Sequence, residues 1–285
     1  MQIVRTRDEL RARLDSPRAD GRRIAFVPTM GYLHEGHLQL VDRARQLGDV
    51  VVMSIFVNPL QFGPSEDLAS YPRDLDRDAR LADARGVDFV FAPSVEEMYP
   101  HGRPLVTVVA PGLTDRLCGR FRPGHFDGVL TVVNKLFNIV RPDVAVFGRK
   151  DFQQYVVVKR MVEDLDMNLV VDALPTVREA DGLAMSSRNT YLSPEERVRA
   201  LTLHRALKAG AGAYRSGERS AARILDAARA VLDTEPALTL QYLELVDPTT
   251  LDAVESAKAG DVIAIATFVG RTRLIDNLTL GESDA

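Results

Sequence analysis

The sequence predicts an α/β protein with a Rossmann-like, doubly wound parallel sheet domain followed by a smaller α+β C-terminal domain. Two observations carry this. Up to Pro175, short apolar runs rich in β-branched residues alternate with helix-length segments and are bounded by Gly, Pro or Asp. Runs apolar along their whole length are the pattern of strands buried on both faces, and intervening helices make them parallel. Beyond Pro175 two Ala- and Arg-rich helical stretches precede consecutive strands, the order of an α+β unit.

The first strand, Ile24 to Val27, leads through a glycine-containing turn to a helix from Gly36 to Leu47. Val50 to Val57 is the second strand, and Leu75 to Arg85 the helix that follows it. Phe89 to Ala92 and Val144 to Phe147 are strands separated by a helix from Gly128 to Val140. A helix from Gln153 to Leu165 and a strand from Leu169 to Ala173 complete the series. The second part holds helices Pro194 to Ser216 and Ser220 to Thr234, then strands Leu240 to Val246, Val262 to Phe268 and Thr272 to Asn277. The domain boundary is expected near Thr176, giving domains 1–176 and 177–285, with the crevice between them as the expected site. No internal repeat is visible, and the last five or so residues are expected to fray.

A chain of 285 residues exceeds the comfortable size of one hydrophobic core, and 46% apolar residues suffice to fill more than one. With 27% charged residues and a formal net charge of -4 there is no basic field for nucleic acid, so an anionic ligand needs a local site. One cysteine, Cys118, rules out a disulfide framework and fits a reducing compartment. The opening Met1-Gln2-Ile3-Val4-Arg5 carries no signal-like apolar run, and no later run approaches the roughly 20 apolar residues of a membrane span. A cytoplasmic protein that engages neither membrane nor nucleic acid is the expectation.

The segment Pro28 to His37 follows the first strand and opens the first helix. Backbone N–H groups at a helix start favour phosphate, and Gly31 and Gly36 permit close approach. His34 and His37 are spaced i,i+3 and project from one face, where two imidazoles can meet a triphosphate. In isolation a helix cap and a surface residue would explain the pair as well; strand, glycine turn and histidines together favour a phosphate site. Zinc is less attractive, because no further ligand sits at a recognisable spacing. The loop Pro175 to Asn189, with Gly182, Ser186, Ser187 and Arg188, can fold over a triphosphate, although taken alone it reads better as a solvated turn that starts a helix.

A His-x-Gly-His helix start paired with a downstream Met-Ser loop resembles the nucleotidyltransferase superfamily that includes class I aminoacyl-tRNA synthetases. Within it the chain resembles, nearly end to end, the pantothenate synthetase (pantoate–β-alanine ligase) family. Six ordered pieces carry the resemblance: Pro28 to His37, Phe56 to Phe62, Tyr71-Pro72-Arg73, Arg122 to Phe126, Phe147 to Gln154 and Asp181 to Asn189. The resemblance implies a carbon–nitrogen ligase in which the carboxylate of (R)-pantoate attacks the α-phosphorus of Mg-ATP. Pyrophosphate leaves, and the amine of β-alanine then attacks the pantoyl-adenylate to give pantothenate and AMP. It also implies a homodimer.

Residue by residue, the resemblance places Met30, Gly31, Tyr32, Leu33, His34, Glu35, Gly36 and His37 against ATP. His37 holds the position assigned as proton donor, although a histidine that only orients phosphate would behave similarly. Gln61 is implied in both the pantoate and β-alanine pockets, Gln154 supplies the second pantoate amide, and Asn58 contacts phosphate. Gly148 and Asp151 would approach the ribose and Lys150 the phosphates, with Arg149 standing where a glutamate is expected. Val177 would meet adenine through its backbone, and Met185, Ser186, Ser187 and Arg188 would clamp phosphate. His34, His37, Lys150, Ser186, Ser187 and Arg188 form the implied catalytic set. Asp78 aligns with an acidic pair that helps hold magnesium, its preceding member being Arg77 here. Arg122 and His125 lie on a loop able to cover pantoate, with Phe121 in place of an expected serine. Cys118 nearby reads as incidental. Two alternatives are another adenylyltransferase of the superfamily and a non-catalytic nucleotide-binding regulator.

Overall fold

The structure, a computed structural model, describes residues 1–64 and 66–282; residues 283–285, in the end expected to fray, lie outside the described residues. The chain forms two compact units. The first comprises Met1–Thr114, Arg122–Arg149 and Val157–Leu174; the second comprises Asp115–Phe121, Lys150–Val156 and the chain from Pro175 onward.

The first unit is built on six parallel strands: β1 (Gln2–Val4), β2 (Ile24–Thr29), β3 (Val50–Ile55), β4 (Phe89–Phe91), β5 (Val144–Gly148) and β6 (Val170–Leu174), in the spatial order β1-β4-β3-β2-β5-β6. Helices α1 (Arg7–Ala19), α2 (Glu35–Leu47), α3 (Leu75–Ala84), α4 (Val95–Met98) and α6 (His125–Val140) belong to this unit, as does most of α7 (Phe152–Asp164). The short α5 (Leu117–Phe121) falls in the second unit. Val27, Val41, Met53, Val90 and Val146 are fully buried between sheet and helices, which accounts for the apolar length of these strands. Pairing of β2 with β5 stops at Phe26, before Pro28, which has no N–H to contribute.

From β2 the chain moves outward through β3 and β4, then returns to β5 and β6 on the other side. That reversal puts the ligand-binding crevice of a doubly wound sheet at the carboxyl ends of β2 and β5. Met30 to His34 follow β2 and Arg149 follows β5.

In the second unit, α8 (Pro194–Arg215) and α9 (Ala221–Leu232) pack on an antiparallel sheet in the order β7 (Leu238–Val246), β8 (Val262–Val269) and β9 (Thr272–Thr279). Leu207, Ile224, Ile263 and Ile265 form its fully buried centre. Ser193 and Glu196 cap α8 reciprocally, with Pro194 in the first turn where its missing N–H costs nothing.

Candidate active site

The turn after β2 is left-handed at Gly31 (φ 86°) and Tyr32 (φ 51°), and a Cβ on Gly31 would stand 2.9 Å from Ile55 Cγ2. The carboxylate of Asp78, on α3, braces this turn: Oδ2 accepts the Tyr32 N–H at 2.6 Å and Oδ1 the Leu33 N–H at 2.7 Å. Asp78 is 1% exposed. Burial pushes its carboxyl above the ordinary range, opposed by the two amides and by Arg77.

Helix α2 then begins with His34 at the cap position. The His34 and His37 rings lie with centroids 4.0 Å apart and planes tilted by 35°, so the two do share one face. His37 Nδ1 accepts the backbone N–H of His34 at 3.3 Å. An accepting Nδ1 leaves Nε2 as the protonated nitrogen, so His37 is a donor beside the positive end of α2. Glu35 turns its side chain to Arg85, which grips both its oxygens at 2.7 and 2.8 Å. That leaves its backbone, and not its carboxylate, facing the helix start.

After β3 a 3-10 turn, Pro59–Gln61, carries the predicted amides. Asn58, 1% exposed, has every hydrogen-bonding position engaged. Its Oδ1 accepts from Tyr99 Oη at 2.7 Å and from the Leu60 N–H at 3.3 Å. Its Nδ2 donates to Gln61 Oε1 at 3.2 Å and to the Gly128 carbonyl at 3.1 Å. Burial pushes the Tyr99 phenol up, keeping it a donor. A phosphate contact from the Asn58 side chain would require exchanging one of these bonds. Gln61 Nε2 donates to the Met30 sulfur at 3.1 Å, a weak acceptor that a carboxylate outcompetes.

Arg122 and His125 are committed within the first unit. Arg122 forks onto Glu66, Nε to Oε1 and Nη2 to Oε2, both at 2.6 Å. Burial pushes the Glu66 carboxyl up, but the guanidinium overrides it and holds it below the usual range. Glu66 carried no signal in the sequence, since its partner is 56 residues away.

In the second unit, Val177 and Met185 face each other across a tight loop, the Met185 N–H donating to the Val177 carbonyl at 3.0 Å. Asn189 Nδ2 ties Glu179 Oε1 at 2.9 Å and the Ala184 carbonyl at 3.1 Å. Arg197 of α8 pairs Glu179 at 2.7 Å and Asp181 at 2.6 Å. Gly182 (φ 94°) lies over His204, whose Nδ1 would be 2.5 Å from any Cβ there. The Ser186 side chain accepts the Arg188 N–H at 3.3 Å, and Ser187 is buried. Lys150 and Asp151 stand 3.8 Å apart, and Asn277 of β9 holds the Lys150 carbonyl at 2.9 Å. Gln154 is half-buried, whereas its neighbour Gln153 is buried and donates to the Arg116 carbonyl at 2.8 Å. Glu179, Arg197 and Asn277 are supports the sequence did not disclose.

Magnesium finds little first-hand ligation. Among the described residues no group of three or more His, Cys, Asp or Glu could hold a metal ion. Both oxygens of Asp78 already accept main-chain N–H groups, so its donor set suits a brace better than the expected metal ligand. Cys118 is buried, its sulfur 3.1 Å from Tyr242 Oη.

Comparison with known proteins identifies the family. Residues 2–279 match the family described as pantoate–β-alanine ligase. Pantothenate synthetase of Pelotomaculum thermopropionicum is 54% identical over 282 residues, covering 99% of this chain and all of that one. That of Moorella thermoacetica is 54% identical over 284 residues, covering both chains completely. The crystal structure of pantothenate synthetase from Thermus thermophilus superposes with a TM-score of 0.94 at 50% identity, covering 98% of this chain and 99% of that one. Pantoate–β-alanine ligase from Francisella tularensis, complexed with β-γ ATP and β-alanine, gives a TM-score of 0.81 at 31% identity, covering 99% of each. On the family match and on these full-length relatives, the chain belongs to the pantoate–β-alanine ligase family.

Proposed function

We propose that the chain condenses (R)-pantoate with β-alanine through a pantoyl-adenylate, consuming ATP and releasing pyrophosphate and AMP. Family membership makes it a carbon–nitrogen ligase of pantothenate biosynthesis, and the readings as another adenylyltransferase or a silent regulator are not favoured. The observation that carries the adenylation step is the hydrogen bond that His37 Nδ1 accepts from the His34 backbone. With Nδ1 accepting from the His34 backbone, Nε2–H is presented at a helix start, where the oxygen charge of departing pyrophosphate would be met.

In this reading Met30 to His37, Gly148 to Asp151, Val177 and Met185 to Arg188 all address one ATP. His34, His37, Lys150, Ser186, Ser187 and Arg188 supply donors and charge to the phosphates. Arg188 and Lys150 give fixed positive charge, Ser186 and Ser187 hydroxyl donors, and His37 a donor from Nε2. Gln61 and Gln154 hold pantoate, and Gln61 also receives β-alanine. With no covalent enzyme intermediate, the residues act by positioning and by stabilising charge. Asn58 is assigned to phosphate only at the expense of a bond it already makes. ATP would enter as its magnesium complex, and Asp78, the proposed carboxylate for the ion, could reach it only by giving up one of the two amides it already holds.

The second domain, from about residue 177, is proposed to close over ATP. The working form is proposed to be a cytoplasmic homodimer; no helix among the described residues is long and apolar enough to cross a membrane. ATP–pyrophosphate exchange tests the reaction. Exchange should depend on pantoate and not need β-alanine, and β-alanine should then release AMP stoichiometrically. ADP as product, or exchange indifferent to pantoate, rejects the reading.

A further inference from the structure

Gln61 is the only residue to which the proposed function assigns both substrates, and its backbone is held by side chains distant in sequence. Arg122 has only N–H donors. Its Nη1 lies 2.9 Å from His125 Nε2, so that nitrogen must accept, and the ring proton sits on Nδ1. Nδ1 in turn lies 2.7 Å from the Gln61 carbonyl and donates to it. Glu66 fixes the other edge of the guanidinium through two bonds of 2.6 Å. The donor-to-acceptor polarity is thereby set along the whole line from Glu66 to Gln61.

One turn further along the same helix, α6 presents Gly128, where a Cβ would stand 2.3 Å from the Leu60 carbonyl and 2.7 Å from the Gln61 nitrogen. Asn58 then aligns the Gln61 side chain through Oε1. The first turns of α6 thus hold the turn twice, by close backbone packing at Gly128 and by the His125 bond to the Gln61 carbonyl. Nε2 of Gln61, resting against the Met30 sulfur, is left as the exchangeable donor.

We propose that Glu66 and Arg122 are positioning residues for substrate recognition, acting through the Nδ1–H tautomer of His125 to set Gln61 against the carboxylate substrates. This rests on Gln61 being the pantoate contact. A shift of the turn by a fraction of an ångström would misdirect an amide that must match a carboxylate, and small misplacements are costly in rate.

The test is steady-state kinetics and pyrophosphate exchange on the full-length enzyme. E66Q and R122K should raise KM for pantoate by about tenfold or more while changing KM for ATP by less than about twofold. H125N places an amide donor where Nδ1 stands and should retain most of the pantoate affinity; H125Q, which mimics Nε2, should behave like E66Q. In the H125N background, E66Q should lose the part of its effect carried by the imidazole, leaving only the longer direct bond from Arg122 Nη2 to the Gln61 carbonyl at 3.4 Å. Circular dichroism and thermal melts identify which variants are folded. Unchanged pantoate KM in folded E66Q and R122K overturns the proposal, as does an equal rise in both KM values or an undiminished E66Q effect in H125N. Failure of the underlying reading shows differently, as wild-type exchange that ignores pantoate.

Discussion

Asp78 and Tyr32 meet across 46 residues of chain, the carboxylate accepting at 2.6 Å the backbone N–H of a residue held at φ 51°. Leu33 donates to the same group. Removing the acceptor leaves two amides without it, each costing about 1–3 kcal/mol if unsatisfied. Asp78→Ala should therefore lower stability in urea titrations and raise KM for ATP, with Asp78→Asn intermediate. Unaltered stability with lost magnesium dependence would instead mark Asp78 as a metal ligand.

His37→Ala should slow adenylate formation by about 10²-fold or more, the scale of a lost charge-stabilising donor. His37→Gln separates the two roles open to the ring, because its amide nitrogen occupies the Nε2 position but transfers no proton at neutral pH. Single-turnover rates near wild type in His37→Gln identify phosphate orientation; rates as low as the alanine variant identify proton transfer.

Gly182→Ala meets two obstacles, a left-handed φ of 94° and a Cβ 2.5 Å from His204 Nδ1. The backbone component costs about 1–2 kcal/mol. KM for ATP should rise, and His204→Ala in the same chain should recover the steric share only. Full recovery, read from ATP titrations, would show that the backbone conformation contributes nothing.

Glu66 has a definite acid signature. Its carboxyl is held below the ordinary 4.5 by Arg122 despite burial. A depressed value contributes stability above the unfolded pKa that is lost as pH falls through the folded one. The stability gap between wild type and Glu66→Gln should stay level above about pH 5 and shrink below about pH 4. Urea midpoints across that range check it, and a gap that widens with acid contradicts the pairing.

The strands Val50–Ile55 and Val144–Gly148 were readable because strands covered on both faces need apolar residues throughout. β1 has three residues, and α1 buries only Leu10 and Leu14, so neither leaves a period strong enough to read. At the site, the motifs gave the residues that end strands and open helices. They did not give the supports. The family resemblance aligns Asp78 with a magnesium-holding pair, whereas the two amides it faces become visible only in the fold. Glu66 and Arg197 are surface charges until the fold brings Arg122 and Glu179 to them.

The four bonds around Asn58 also bear on how the protein ages. Conversion of this amide to a carboxylate would aim negative oxygen at the Gly128 carbonyl and at Gln61 Oε1, turning two attractions into repulsions. Deamidation begins when the nitrogen of the next residue closes on the asparagine side chain, and that residue is Pro59, whose ring nitrogen carries no hydrogen to lose. The asparagine that the turn can least spare is therefore followed by the one residue that blocks its usual chemical decay.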